Sequence, residues 1–131
     1  MRRHVQWTTI IAAALLLLAA PAWSQDPAQL AKLPPDVRAG IQTDFMTQKL
    51  QLSAAQRTQV EAINLKVANQ MQPLLEGSKW TLMREAGKVD AAKDDDLRAI
   101  LDAQQFAKYQ ASKDELKALM QQKAAAHAAA D

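Results

Sequence analysis

From Pro35 onward the large apolar side chains recur at three- and four-residue steps, and no segment shows sustained alternation. Steps of three and four hold residues on one face of an α-helix, whereas a half-buried strand needs a step of two. The expected fold class is therefore all-α. A first helix begins after Pro35, whose fixed φ suits a helix start, aligns Val37, Ile41 and Phe45, and ends near Leu50. A second runs from Ser53 toward Glu76 with Val60, Ile63, Val67, Met71 and Leu74 on its stripe. Pro73 is expected to bend its last turns, because proline has no N–H for the helical ladder. A third helix carries Leu82, Ala86, Val89, Lys93, Leu97 and Ile100, and a fourth, from Asp102, carries Phe106, Tyr109, Leu116, Leu119 and Met120. Gly77 and Ser78 offer a stop and a fresh cap between the second and third. Gly87 offers a rival break, and the turn between the central helices stays open between the two. Short connections make neighbouring helices antiparallel, which gives four antiparallel helical arms.

The amino-terminal segment has a different character. Arg2, Arg3 and His4 precede an uncharged apolar run from Ile10 to Ala20, and Pro21, Ala22, Trp23 and Ser24 close it. That is the three-part layout of a cleavable secretory signal. Ala22 and Ser24 suit the minus-three and minus-one positions of a cut between Ser24 and Gln25; Ala20 and Ala22 mark a second option. An apolar run of about a dozen residues falls short of the ~20 needed to span a bilayer. No cysteine follows it, so lipid attachment has no acceptor. The expected organisation is a signal over 1–24, a flexible lead-in over 25–35 around Pro27, Pro34 and Pro35, a helical domain over 36–123, and an alanine-rich tail over 124–131 around His127.

Removing the signal changes what composition implies. The full chain holds 16 basic and 14 acidic residues; without Arg2 and Arg3 the remaining 107 residues hold 14 of each. The positive balance is therefore no nucleic-acid footprint. Of those 107 residues, 21 are alanine and 27 are larger apolar or aromatic side chains. Such a chain suffices for one domain but builds only a thin core, and with no cysteine it has no disulfide to draw on. A thin open bundle completed by dimerisation is expected.

One short pattern occurs twice. Leu52, Ser53, Ala54, Ala55 and Gln56 read L-S-x-x-Q, and forty-nine residues later Leu101, Asp102, Ala103, Gln104 and Gln105 read L-D-x-x-Q. Each sits where a helix should start. A Ser or Asp at the cap accepts from the N–H three residues on, while the Gln reaches back to the N–H of the cap, a capping box. The preceding leucine can staple to the fourth helical position, which is Phe106 in the second copy but Arg57 in the first.

With these paired motifs, and the I-L-D-x-x-Q-F-x-x-Y run from Ile100 to Tyr109, the chain resembles the LTxxQ-motif family of bacterial periplasmic proteins, the Spy/CpxP-like group. The resemblance extends from about Asp44 to Lys123. It implies a small helical protein of the periplasm, often a dimer shaped like a shallow cradle, that acts as an ATP-independent chaperone or modulates envelope-stress signalling. Ser53 and Asp102 stand where the family usually has threonine, which keeps the capping chemistry. The motifs also lie closer together than in the family's longer members, which implies curtailed arms.

Enzymatic chemistry has little to work with in the region after the signal. There is no cysteine, and His127 in the alanine tail is its single histidine, so nucleophilic triads and histidine metal clusters lack parts. Asp94, Asp95 and Asp96 diverge by about 100° per residue on a helix and read as a solvated face. Met46 and His127 match a haem-ligand outline only loosely, without a C-x-x-C-H segment or bulky residues around His127. No cofactor, metal or catalytic role is expected. The candidate apolar contacts for a client are Phe45, Met46, Met71, Trp80 and Met83, since methionine conforms to irregular apolar partners; core packing is the competing role for each. The expected function is stress-associated shielding of unfolded envelope proteins. The alternative is a regulatory module that docks on one partner, such as the periplasmic sensor domain of an envelope-stress kinase. Ser53→Ala and Asp102→Ala should each cost about 1 kcal/mol in urea unfolding and leave binding intact at low temperature. Lost binding with an unchanged melting curve would make the motif a contact surface instead.

Overall fold

The computed structural model describes residues 27–130, and within them the chain is all-helical. Six helices follow in order: α1 (Pro27–Lys32), α2 (Pro35–Leu50), α3 (Ala54–Glu76), α4 (Lys79–Arg98), α5 (Ala103–Ala111) and α6 (Lys113–Ala130). The expected secretory signal over 1–24 lies outside the described residues. Among the described residues no helix is long and apolar enough to cross a membrane.

The two most extensive helix pairings, α2 with α3 and α3 with α4, explain the arrangement. α2 and α3 run antiparallel: Arg38 reaches the carbonyl of Ala68 (2.9 Å), Asn64 donates to Thr43 Oγ1 (3.0 Å), and Arg57 pairs with Asp44 (2.7 Å). The reversal between them is tight. Gln51 takes the left-handed conformation (φ 53°), and the N–H of Leu52 bonds back to the carbonyl of Thr47 (3.2 Å), a Schellman-type closure achieved without glycine. The next turn falls at Gly77 and Ser78, where Ser78 Oγ accepts the N–H of Thr81 (3.2 Å) and starts α4. Gly87 lies inside α4; no capping side chain follows it, so the helix runs on. A Cβ on Gly77 would sit 3.1 Å from the carbonyl of Pro73, so the stop is also a close approach. α3 continues through Pro73 to Glu76.

Three segments differ from expectation. The region expected as one fourth arm is divided into α5 and α6 at Ser112, whose hydroxyl bonds back to the carbonyl of Lys108 (2.7 Å) and competes with the backbone ladder. The lead-in expected to be flexible is helical from Pro27 and packs on α6 and α3. Leu33, just after α1, is buried. Its carbonyls are the reason it docks. Arg38, 2% exposed, donates to the carbonyls of Leu30 and Leu33 as well as to Ala68, and Gln72 donates to Ala31 (3.0 Å). The alanine tail, expected to lack a packing stripe, buries Ala124 beside Leu33, Leu116 and Met120. A methyl group suffices there because α1 comes close.

The core is two clusters. One gathers Met46, Leu50, Val60, Leu97, Leu101 and Tyr109, with Leu52, Ile63, Ile100 and Phe106 against it. The other is the Leu33, Leu116, Met120 and Ala124 group. Phe45 packs against both and joins them.

At the end of the larger cluster the two capping boxes meet. Ser53 Oγ accepts from Gln56 N and Gln56 Oε1 accepts from Ser53 N, both at 3.1 Å. Asp102 Oδ1 accepts from Gln105 N (2.8 Å) and Gln105 Oε1 from Asp102 N (3.0 Å). The same two glutamines then bond to each other. Gln56 Nε2 donates to Gln105 Oε1 (2.8 Å) and Gln105 Nε2 to Gln56 Oε1 (3.0 Å). Their remaining N–H groups reach the carbonyls of Ile100 (3.2 Å) and Leu50 (3.3 Å), so each amide serves its own cap and the opposite chain reversal. Gln56→Ala and Gln105→Ala should each destabilise by about 1–2 kcal/mol. The double variant should lose less than the sum by about 0.5–1 kcal/mol, measured as a urea-unfolding cycle; strict additivity would mean the two caps act independently.

Candidate functional site

Between α3 and α4 on one side and α6 on the other lies a cleft of about 490 Å³, half open to solvent. Its walls are apolar: Val67, Met71 and Leu75 from α3, Val89 from α4, and Leu116 and Met120 from α6. The volume falls within the range of small-molecule sites. Its floor is charged. Lys93, 6% exposed, donates to Gln42 Oε1 (2.7 Å), and its ammonium stands 5.8 Å from the centre of the Tyr109 ring. Lys113 approaches the same ring (5.4 Å) and binds both Asp94 (2.7 Å) and Asp90 (3.1 Å). Gln110 donates to the same Asp94 oxygen (3.1 Å).

Local sequence places these groups. Lys93 stands four residues after Val89 and four before Leu97, so the apolar stripe of α4 carries an ammonium into the interior. Tyr109 is held by the larger cluster, with Phe106 tilted beside it at 6.3 Å between ring centres. Among the described residues Lys93 forms no ion pair within 4 Å, because Asp90 and Asp94 are taken by Lys113. Burial lowers the Lys93 ammonium from the usual 10.5 to about 8; Asp90 and Asp94 pull it up and Lys113 pushes it down. Burial, with Asp94 and Asp90, raises the Tyr109 hydroxyl, which stays a donor at any physiological pH. For Lys113 burial opposes the charge, but its bonds to Asp94 and Asp90 outweigh that and raise its pKa. For Asp94 burial also opposes the charge, yet the donors Lys113 and Gln110 hold its carboxyl below the ordinary value. The floor is thus a cation and a phenol facing an apolar cleft, suited to binding an anion with an apolar body. Arg38 also borders the cleft, but its guanidinium is spent on three carbonyls.

The residues singled out in the sequence are distributed over several places. Leu52, Ser53, Gln56, Leu101, Asp102 and Gln105 form the double cap, away from the cleft. Of the candidate client contacts, Met46 is fully buried and is corrected to core: it packs with Val60 and Leu97, its sulfur 3.7 Å from Asn64 Nδ2. Phe45, partly buried, bridges the two clusters. Met71 lines the cleft, while Trp80 and Met83 are 84% and 78% exposed. The aspartates after Lys93 go to different cations: Asp94 to Lys113, Asp95 to Arg98 (3.4 Å) and Asp96 to Lys66 (3.3 Å). Lys93 and Tyr109 were visible in the sequence only as stripe positions; a lysine at the centre of an apolar stripe was the signal for the former.

Lys93 gives a pH signature. Between pH 8 and 10.5 the unfolded chain holds the Lys93 proton more tightly than the folded one, so stability from this group rises with pH across that window. The penalty is fully present below 8. Lys93→Met should therefore raise unfolding stability at pH 7 by about 1–3 kcal/mol, with the gain over the wild type shrinking toward pH 10.5. A pH-independent difference in the two melting curves would mean that Lys93 is not desolvated.

No curated protein and no solved structure matches the chain. A family profile does, over residues 24–131, a stretch that contains the cleft and both caps. The chain belongs to the family described as a domain of unknown function, DUF4890.

Proposed function

We propose that this is an exported, periplasmic binding protein of the LTxxQ type that shields exposed apolar segments of unfolded or partly folded envelope proteins without ATP. The observation that carries the proposal is the apolar tip of the α3–α4 hairpin. Trp80 and Met83, one turn apart on α4, are 84% and 78% exposed. Large side chains left in water near the hairpin turn are what a partner's apolar surface would cover. Tryptophan and methionine suit varied partners, the one for area and the other for its adaptable thioether.

Export is supported by the signal-like leader, and the family match begins at residue 24, where that leader is expected to end. The paired capping motif supports kinship with LTxxQ proteins, and a second copy set against the first would extend the helical arms into a cradle. Docking on one sensor domain is the alternative from a different class, and a single stoichiometric partner captured from periplasmic extract would favour it over many weak ones. Incubated at several-fold molar excess with an aggregating client, the protein should suppress light scattering. Replacing both tip residues, Trp80→Ser with Met83→Ser, should weaken the effect several-fold and leave the melting curve within about 0.5 kcal/mol, as expected for exposed positions. No suppression by the unaltered protein would sink the proposal.

A further inference from the structure

The cleft carries a second inference, independent of the chaperone proposal because it concerns the floor beneath α4 and a different kind of ligand. Three observations converge there. The first is the pairing of the floor. Four cations, Arg38, Lys93, Lys113 and Lys117, border the cleft, and of these Arg38 has Glu76 in its field and Lys113 holds two aspartates. Lys113 takes Asp90 and Asp94, which leaves Lys93 as a buried ammonium with one hydrogen bond, to Gln42, and two N–H directions unspent. Burying a charge without a partner is costly, and an anion placed beside it recovers that cost. The second is Tyr109, whose hydroxyl has no hydrogen-bond partner among the described residues and whose ring adjoins Lys93.

The third is the shape of the walls. Counting along antiparallel α3 and α4 from the ion pair between Lys66 and Asp96 brings Ala68 level with Asp94, next to Lys93, and Leu75 level with Gly87, next to Ala86. From the charged floor to the apolar rim is therefore seven residues along both helices, about 10 Å at 1.5 Å per residue. The apolar walls continue along that distance and end near the open hairpin tip.

We infer that the cleft binds a single-chain amphiphile with a carboxylate head, its head accepting from the Lys93 ammonium and the Tyr109 hydroxyl and its hydrocarbon tail lying between α3, α4 and α6. One carboxylate supplies the partner that the Lys93 ammonium lacks. The charged end takes the head, and the walls of Met71 and Leu75 take the tail.

The test titrates the protein with decanoate below its micelle concentration and with 1-decanol, followed calorimetrically. Decanoate should bind saturably, one per chain, roughly tenfold more tightly than 1-decanol, the size of a 1.4 kcal/mol difference. Lys93→Met should remove that preference, weakening decanoate about tenfold and leaving 1-decanol unchanged. Tyr109→Phe, which keeps the ring in the core, should weaken decanoate a few-fold. Ala86→Phe, which fills the cleft away from the floor, should weaken both ligands. Helical circular dichroism checks each variant's fold. Absent saturation with decanoate, undiminished binding by both Lys93→Met and Tyr109→Phe, or unchanged binding by Ala86→Phe would each overturn the inference. So would co-sedimentation with phosphatidylglycerol vesicles in the absence of decanoate binding, which would assign the cation to a membrane surface.

Discussion

Two side-chain amides hold two of this fold's reversals together. Gln56 and Gln105 each close a capping box at the start of a helix, and each then donates to the other and to the carbonyl chain that precedes the opposite cap. A lone capping box satisfies the orphan N–H groups of one helix end. Here the same atoms also register α3 against α5, forty-nine residues away in sequence, so local helix initiation and long-range packing become one cooperative event. The larger apolar cluster sits directly under this junction, with Leu50, Leu52, Ile100 and Leu101 contributed by the flanking reversals. Were the amides absent, those reversals would still be capped by Ser53 and Asp102, but nothing polar would tie one to the other.

At the opposite end Arg38 plays the corresponding part. A guanidinium offers five donors in a rigid fork, and three carbonyls from α1, the turn after it and α3 converge on this one. A short helix of six residues cannot hold itself together in isolation. α1 persists because Arg38 and Gln72 satisfy its terminal carbonyls and because Leu33 packs with Leu116, Met120 and Ala124. Phe45 spans the two clusters, which makes one continuous interior out of a chain with few large apolar side chains.

That economy has a consequence at the cleft. With small side chains such as Ala68 and Ala86 along its walls, the space between the α3–α4 hairpin and α6 is left unfilled above a polar floor. Lys93 is expensive to bury and makes no ion pair among the described residues, while its neighbours Asp90 and Asp94 are drawn to Lys113. Trp80 and Met83 near the start of α4 are exposed while Lys93 toward its end lines the cleft, so a single helix presents two surfaces of different chemistry.

The helical class, most helix starts and both capping boxes were legible in the sequence, because each depends on residues within four positions of one another. Apolar spacing at Val60, Ile63 and Val67 requires a helix wherever it is placed, and Ser53 with Gln56 or Asp102 with Gln105 can find each other without the rest of the chain. The choice of Gly77 over Gly87 was half legible: Ser78 supplied a cap, but only the packing of α4 showed that the second glycine is tolerated inside a helix. The break at Ser112, the docking of α1 and the burial of Ala124 were not legible, since each depends on a partner distant in sequence. Met46 and Trp80 show the same limit. Both are large apolar residues in helices, and only the tertiary arrangement put one at the centre of the core and the other in water. The sequence by itself determined which segments coil and where they are capped, through short-range hydrogen bonds and periodicity; the tertiary structure alone decided that two distant glutamines interlock and that Lys93 faces an open cleft, because burial and pairing are properties of surfaces that meet only when the chain is folded.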